Sequence, residues 1–192
     1  MGDKQKAIEY HENRLQTAKR IGDRAGEEEA YGNLGIAYNS LGSYRKAIEH
    51  LEKVLKITIE INDQAGQERT YHNIGIVYFS LQQFQSAVNN YVSAVKTFNS
   101  LRSLLMSKDD WKITFRELHE TTYTALWRSL LSVGKVDEAL FAAEQGRTQT
   151  LSDNLFIQYK LPASLAAATT DTKETVSRLF TELITPTIFF RN

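Results

Sequence analysis

The sequence of 192 residues contains no cysteine, only two prolines and no excess of charge, since 23 Lys and Arg balance 23 Asp and Glu. Without cysteine there is no disulfide framework, thiolate-ligated zinc site or cysteine nucleophile, which favours a reducing compartment. The zero net charge gives no general attraction to nucleic acid or to an anionic membrane. No apolar run approaches the roughly 18 residues of a membrane span. These absences predict a cytoplasmic protein that binds neither nucleic acid nor membranes.

An internal repeat runs through the first 160 residues, which lack the helix-breaking proline. Asp23 and Asp63 open two copies that are 63 − 23 = 40 residues apart. The match continues through Tyr31/Tyr71, Asn33/Asn73, Gly35/Gly75, Tyr38/Tyr78, Leu41/Leu81 and Ala47/Ala87. Residues 4–21 match the second half of these copies. We therefore expect the chain to start inside a repeat array.

Each copy contains two segments with the apolar spacing of an amphipathic helix, at 25–41 and 44–61 and again at 65–81 and 84–100. Gly35 lacks a side chain and Ala47 has only a methyl group, which lets the two helices approach closely. A glycine inside a helix costs about 1 kcal/mol relative to alanine. Its recurrence at Gly75 therefore predicts a packing role.

This pattern of an aromatic residue, Leu-Gly, Tyr, a small Ala and then a bulky residue resembles the tetratricopeptide repeat. The residues that carry it are Tyr31, Leu34, Gly35, Tyr38, Ala47 and Leu51, then Tyr71, Ile74, Gly75, Tyr78, Ala87 and Tyr91. The 40-residue period and the linker Gly22–Gly26 resemble the Leu-Gly-Asn-type repeats of cell-polarity and G-protein regulators. The resemblance implies an all-α, right-handed superhelical solenoid of antiparallel helix pairs, followed by a helical and extended tail.

A third, degenerate copy aligns with an offset of 123 − 71 = 52 residues, so that Trp127 takes the position of Gly75. The added 52 − 40 = 12 residues fall in Asn99–Lys112, as a lengthening of one helix or both around a loop at Ser107–Asp110. We expect a repeat array over 1–160. It comprises a partial repeat 1–22, repeats 23–62 and 63–106, and a longer repeat 107–160.

The residues after the array resemble the beginning of a different module. Residues 143–159 are similar to the segment that joins tetratricopeptide arrays to a CHAT domain, a caspase-like module. Residues 161–192 contain a linker, a short helix at Thr172–Leu183 and a strand-like segment at Thr185–Phe190 that resembles the first CHAT strand. We expect a CHAT-like domain that is cut short at Asn192.

No motif in the chain supports catalysis, a cofactor or a metal site. His119-Glu120 begins a zincin-like pattern, but Tyr123 stands where the second histidine ligand is required. There is no nucleophile elbow, phosphate-binding loop or dinucleotide fingerprint. The sequence therefore predicts a chain that is not an enzyme and binds no cofactor or metal.

The first helices of stacked pairs line a concave surface. The side of each helix that faces this surface, opposite its packing stripe, carries the candidate peptide-binding residues. These residues are Asn33, Ile36, Asn39, Arg69, His72, Asn73, Ile76, Phe79 and Arg128, and the third copy adds Thr121, Thr124, Leu131 and Ser132. An amide offers both a donor and an acceptor, and the family commonly uses Asn at positions 33 and 73 to hold a peptide main chain. Apolar sockets beside Arg69 and Arg128 favour an apolar and acidic peptide.

Two functions remain open at this point. The first is a scaffold that binds such a peptide and regulates a downstream caspase-like domain. The second is a spacer or self-association module without a separate ligand, which forms homo-oligomers through exposed solenoid ends such as the face of Ala7, His11 and Leu15. Within the first function, Ile76 and Phe79 are equally well explained by packing against neighbouring helices.

Overall fold

The computed structural model describes residues 2–105 and 112–159, with side chains at 4–101 and 120–147. The helices of this part are α1 (Gly2–Ile21), α2 (Arg24–Ser40), α3 (Tyr44–Glu60), α4 (Gln64–Ser80), α5 (Phe84–Leu105), α6 (Lys112–Ser132) and α7 (Val136–Tyr159). Each packs against the next, and α4 also contacts α2 and α6. The prediction of an all-α solenoid of helix pairs is confirmed. No helix among these residues is long and apolar enough to cross a bilayer.

Tight turns with one residue in the left-handed region end the helices. Gly42, Gln82 and Gly134 have φ angles of 74°, 59° and 78° and occupy equivalent positions after α2, α4 and α6. Gly22 and Asn62, with φ of 72° and 55°, do the same after α1 and α3. In these turns, backbone N–H groups donate to carbonyls of the preceding helical turn. The repeat period therefore includes the turn geometry as well as the helices.

Two glycines form the close contacts of the regular helix pairs. A Cβ atom built on Gly35 would lie 2.7 Å from Cγ of Leu51, and one built on Gly75 would lie 2.6 Å from Cε1 of Tyr91. Real Cβ atoms do not approach other heavy atoms this closely. The predicted packing role of Gly35 and Gly75 is confirmed.

In the third pair, α6 and α7, the glycine at the close contact is on the second helix. Trp127 on α6 stands where the earlier pairs have glycine, whereas Gly146 lies on α7. A Cβ atom on Gly146 would lie 3.0 Å from Cβ of Tyr123 on α6. In this pair the small residue is on the second helix instead of the first, and the repeat pattern did not predict this difference.

The buried core continues along the array as two clusters of apolar side chains. The first joins α1 to α4 and includes Ile8, Leu15, Leu34, Leu51, Val54 and Ile74; the second joins α4 to α7 and includes Val88, Tyr91, Val95, Leu126, Leu130 and Ala142. Leu15 is buried because α1 packs against α2. The expectation that Leu15 lies on an open end face is therefore wrong, and Ala7 and His11 beside it are half-buried.

The helices around the predicted insertion are longer than the regular ones. Helices α2, α3 and α4 have 17 residues each, whereas α5 has 22 and α6 has 21. The added residues therefore lengthen both helices. The loop expected at Ser107–Asp110 overlaps residues 106–111, and the CHAT-like segment at 161–192 lies beyond Tyr159, so both fall outside the described residues.

Candidate functional site

The residues singled out in the sequence lie in equivalent rows on α2, α4 and α6. We call the surface formed by these rows the inner face: Asn33, Ile36 and Asn39 on α2, Arg69, His72, Asn73, Ile76 and Phe79 on α4, and Arg128 and Leu131 on α6. The contacts of α4 with α2 and with α6 bring the three helices side by side. A ligand that crosses the helices would meet one residue of each row per helix.

The amide row consists of Asn33 and Asn73, which are both half-buried. Among the described residues, neither side chain makes a hydrogen bond. The third position of the row, 73 + 52 = 125, is Ala125, so the amides stop at α4. Two adjacent helices therefore each present a donor and an acceptor that no neighbouring side chain of the described chain uses.

Partly exposed apolar side chains lie on the same helices as the amides. Ile36, Phe79 and Leu131 are 52%, 37% and 45% exposed. Phe79 also packs edge-on against Phe84, with 5.2 Å between ring centroids. Ile76 is half-buried and packs against the second core cluster, which supports its packing explanation. Ile36, Phe79 and Leu131 remain as apolar contacts for a ligand.

The two arginines of the inner face differ in their partners. Arg69 Nη2 lies 3.1 Å from Oε1 of Glu28 on α2, so this guanidinium already has an acidic partner within the chain. Arg128 is exposed, lies 5.5 Å from the ring centroid of Trp127 and makes no salt bridge among the described residues. Arg128 is therefore the cation that a carboxylate of a ligand can reach without competition.

His72 contacts a polar cluster that also contains Thr122 and Glu68. Its Nδ1 lies 2.9 Å from Oγ1 of Thr122 on α6, and its ring packs edge-on against Tyr91 at 5.6 Å. Thr122 Oγ1 also donates to Oε1 of Glu68 at 3.3 Å. Burial lowers the pKa of His72 and raises the pKa of Glu68 to about 7, the latter against the weaker opposing effects of Thr122 and Arg69.

Asn39 is half-buried, and its Oδ1 is fully enclosed without a hydrogen-bond donor among the described residues. It occupies the same repeat position as Phe79 and Leu131, whereas Ile36 occupies that of Ile76 and Arg128. The enclosed oxygen leaves the Asn39 amide less accessible to a ligand than Asn33 or Asn73.

Glu28, Glu68 and Thr122 were not predicted as site residues from the sequence. A signal was present for the two acids, since they are 68 − 28 = 40 residues apart and hence occupy the same repeat position. No signal pointed to Thr122, because its contact depends on how α4 and α6 are placed. Within the described residues there is no group of three His, Asp or Glu side chains arranged to hold a metal ion.

Comparison with known families identifies the repeat. The tetratricopeptide repeat family profile matches residues 1–60 and 29–100, which together span 1–100, more than half of the chain. The chain therefore belongs to the tetratricopeptide repeat family. Repeats of this family generally mediate protein–protein interactions, and its members are generally scaffolds rather than enzymes.

Two curated relatives align with a short part of the chain. Tetratricopeptide repeat protein 28 of Mus musculus and that of Homo sapiens are each 40% identical over 58 residues, which is 30% of this chain and 2% of the relative. The chain thus spans a small fraction of their length. Among solved structures, the crystal structure of BtubC (BKLC) from P. vanneervenii is similar with a TM-score of 0.46 and 19% identity, over 80% of this chain and 75% of that one.

Proposed function

We propose that this chain is a protein-interaction scaffold whose inner face binds an extended peptide with apolar and acidic side chains. The observation that carries the proposal is the pair Asn33 and Asn73, one repeat apart on adjacent helices and without hydrogen bonds to other described residues. A peptide main chain has alternating donors and acceptors, which a primary amide matches whatever the peptide sequence. Such a pair supports binding of an extended segment.

The expected chemistry of the peptide follows from the neighbouring rows. Ile36, Phe79 and Leu131 offer partly exposed apolar surface on α2, α4 and α6, and burying it against apolar peptide side chains is favourable. On α6, Arg128 adds a cation without a salt-bridge partner among the described residues. We infer that apolar peptide residues lie over α2 and α4 and an acidic residue lies near α6.

The test begins with peptides selected from a displayed random library on the intact chain, whose affinities are measured by fluorescence anisotropy. The variant carries both Asn33→Ala and Asn73→Ala. Because a lost hydrogen bond costs about 1 kcal/mol, we expect about tenfold weaker binding or more. The matched control carries Asn13→Ala and Asn99→Ala, two exposed asparagines of α1 and α5. Equal losses in both double variants, or none in the first, would refute the proposal.

The alternative, self-association, has a specific observation in its favour at α7. Val136 and Leu140 are 52% and 63% exposed, whereas Val88, the equivalent of Leu140 on α5, is 4% exposed. An apolar helix face of this kind favours contact with a second copy. If Leu140→Glu abolishes a concentration-dependent increase of mass in light scattering, the self-association function gains support over the peptide scaffold.

The proposal extends to a cytoplasmic location and to regulation of a caspase-like domain. The first part is supported by the absence of cysteine. The second is supported by the resemblance of residues 143–159 and Thr185–Phe190 to a CHAT-linked segment. Reading the native gene beyond Asn192 tests it, since a downstream His and Cys would supply a caspase-type dyad and their absence would remove this part of the proposal.

A further inference from the structure

Glu68 is a buried acid equivalent to Glu28, but no described side chain forms an ion pair with it. Glu28, 40 residues before it, pairs with Arg69 across the contact of α2 with α4. At the contact of α4 with α6, the residue equivalent to Arg69 is Thr121 (69 + 52 = 121). Glu68 is 1% exposed, and the hydroxyl of Thr122 donates to it at 3.3 Å. A carboxyl group with this environment is costly to ionise.

The hydroxyl that serves Glu68 also serves His72. Thr122 Oγ1 lies 2.9 Å from Nδ1 of His72, and a hydroxyl has a single proton to donate. An ionised Glu68 accepts that proton, so His72 Nδ1 has to carry its own proton and donate to Thr122. A protonated Glu68 donates to Thr122 instead, and the Thr122 hydroxyl then turns to an unprotonated His72 Nδ1. The neutral ring consequently carries its proton on Nε2.

Among the described side chains around this cluster, Glu68 is the group that changes charge. Arg69 on the same helix acts weakly on Glu68 and is paired with Glu28 of α2. Helix α5 contributes Tyr91, whose ring packs against His72, and the described side chains of α6 contribute the neutral Thr122. Burial holds the pKa of His72 below its ordinary value, so the ring stays neutral where Glu68, with a pKa raised to about 7, takes up its proton.

We propose that Glu68, Thr122 and His72 form a hydrogen-bond relay in which protonation of Glu68 turns Nε2 of His72 from an acceptor into a donor. Nε2 makes no hydrogen bond to the described residues, so it is the atom left for solvent or a ligand at the inner face. The relay itself needs no ligand. Its effect on binding rests on the proposed function: a donor at His72 favours a carboxylate or carbonyl of the peptide, so acidic peptides bind more tightly below the midpoint.

The experiment is a 15N NMR titration of the full chain labelled at histidine, from about pH 6 to about pH 8. We expect the two ring nitrogens of His72 to exchange their protonated and unprotonated shifts, with Nδ1 protonated at high pH and Nε2 at low pH. His50 is the internal control, because it is also half-buried and packs against Tyr38 at 5.3 Å, but has no hydrogen-bond partner at Nδ1 among the described residues. An unchanged His72 tautomer in the wild type would overturn the relay.

Thr122→Val tests the connection, since valine keeps the shape and removes the hydroxyl. In this variant the His72 tautomer should no longer follow pH, and a retained exchange would overturn the proposal. Glu68→Gln should likewise abolish the exchange, and it provides the second test if Thr122→Val does not fold. Failure of the relay is distinguishable from failure of peptide binding, because the Asn33 and Asn73 variants are compared at a single pH.

Discussion

Gly75 on α4 and Tyr91 on α5 face each other so closely that a Cβ atom on the glycine would lie 2.6 Å from Cε1 of the tyrosine. Tyr91 is 2% exposed and belongs to the second core cluster, so its ring has little freedom to move away. The contact between these two helices therefore depends on the absence of a side chain at position 75, although glycine weakens the helix itself.

Gly75→Ala should destabilise the fold by about 1–3 kcal/mol, because overpacking at Tyr91 outweighs the gain in helix propensity. Gly32→Ala is the matched control, since a Cβ atom there meets only Cγ2 of Val54, at 4.0 Å. In that control the helix propensity of alanine should raise stability by up to about 1 kcal/mol. Urea unfolding measures both, and equal effects of the two substitutions would contradict the packing role of Gly75.

The regular helix pairs could be predicted from the sequence because the 40-residue period repeats the same local contacts. Helices α2 and α4 begin at Arg24 and Gln64, one residue before the predicted starts. The third pair departs because Trp127 fills the glycine position, and no spacing rule pointed to Gly146 on α7 as its replacement. The position of the small residue depends on where the two packed helices approach each other most closely, and this is a property of the helix pair.

The repeat positions of the candidate site residues could be predicted from the sequence. The contacts of these residues with side chains of neighbouring helices could not. The register placed Asn33 beside Asn73 and Ile36 in line with Ile76 because both depend only on the period. The pairing of Arg69 with Glu28 joins two helices, and so does the contact of Thr122 with Glu68. Such contacts depend on the angle and offset between neighbouring repeats, which the period does not specify.

Gln82→Gly should stabilise the protein. Gln82 has a φ of 59° at the end of α4, where the equivalent residues after α2 and α6 are Gly42 and Gly134. A non-glycine residue in this region costs roughly 1 kcal/mol, and glycine relieves that cost. The control is Lys96→Gly at an exposed position in the middle of α5, which should destabilise the protein by about 1 kcal/mol. Thermal unfolding of both variants gives the comparison, and a loss of stability in Gln82→Gly would contradict the turn geometry.

The stability of the protein should depend on pH through Glu68. Its pKa is about 7 in the folded chain and 4.5 ordinarily, so the folded state binds more protons between these values. The contribution of Glu68 to the free energy of unfolding is therefore highest below pH 4.5, falls as the pH rises to about 7 and stays constant above it. The total loss is about 3 kcal/mol at ~1.4 kcal/mol per unit.

The comparison is between the wild type and Glu68→Gln, each unfolded by urea at several pH values. The glutamine variant cannot titrate at this position, so its stability should lack the decrease. Other carboxyl groups contribute equally to both proteins and cancel in the difference. A constant difference between wild type and variant across this range would show that Glu68 titrates normally.

Glu28→Gln should strengthen the binding of acidic peptides. In the wild type, Glu28 holds Arg69 at 3.1 Å, and a peptide carboxylate has to compete with it. The Arg69 side chain is 61% exposed, so its pair with Glu28 contributes at most about 1 kcal/mol, and its loss should change the folding stability little. Removal of the competitor should raise affinity by up to about fivefold and make it more sensitive to salt.

The matched control for this prediction is Glu60→Gln. Glu60 pairs with Arg24, an arginine that is not on the inner face, so the substitution changes the net charge equally without releasing Arg69. Anisotropy titrations with one acidic peptide, at low and at physiological salt, compare the two variants with the wild type. A gain confined to Glu28→Gln identifies Arg69 as a ligand contact that Glu28 masks. An equal gain in both variants would mean that only the overall charge matters, and Arg128 would then remain as the cation of the inner face.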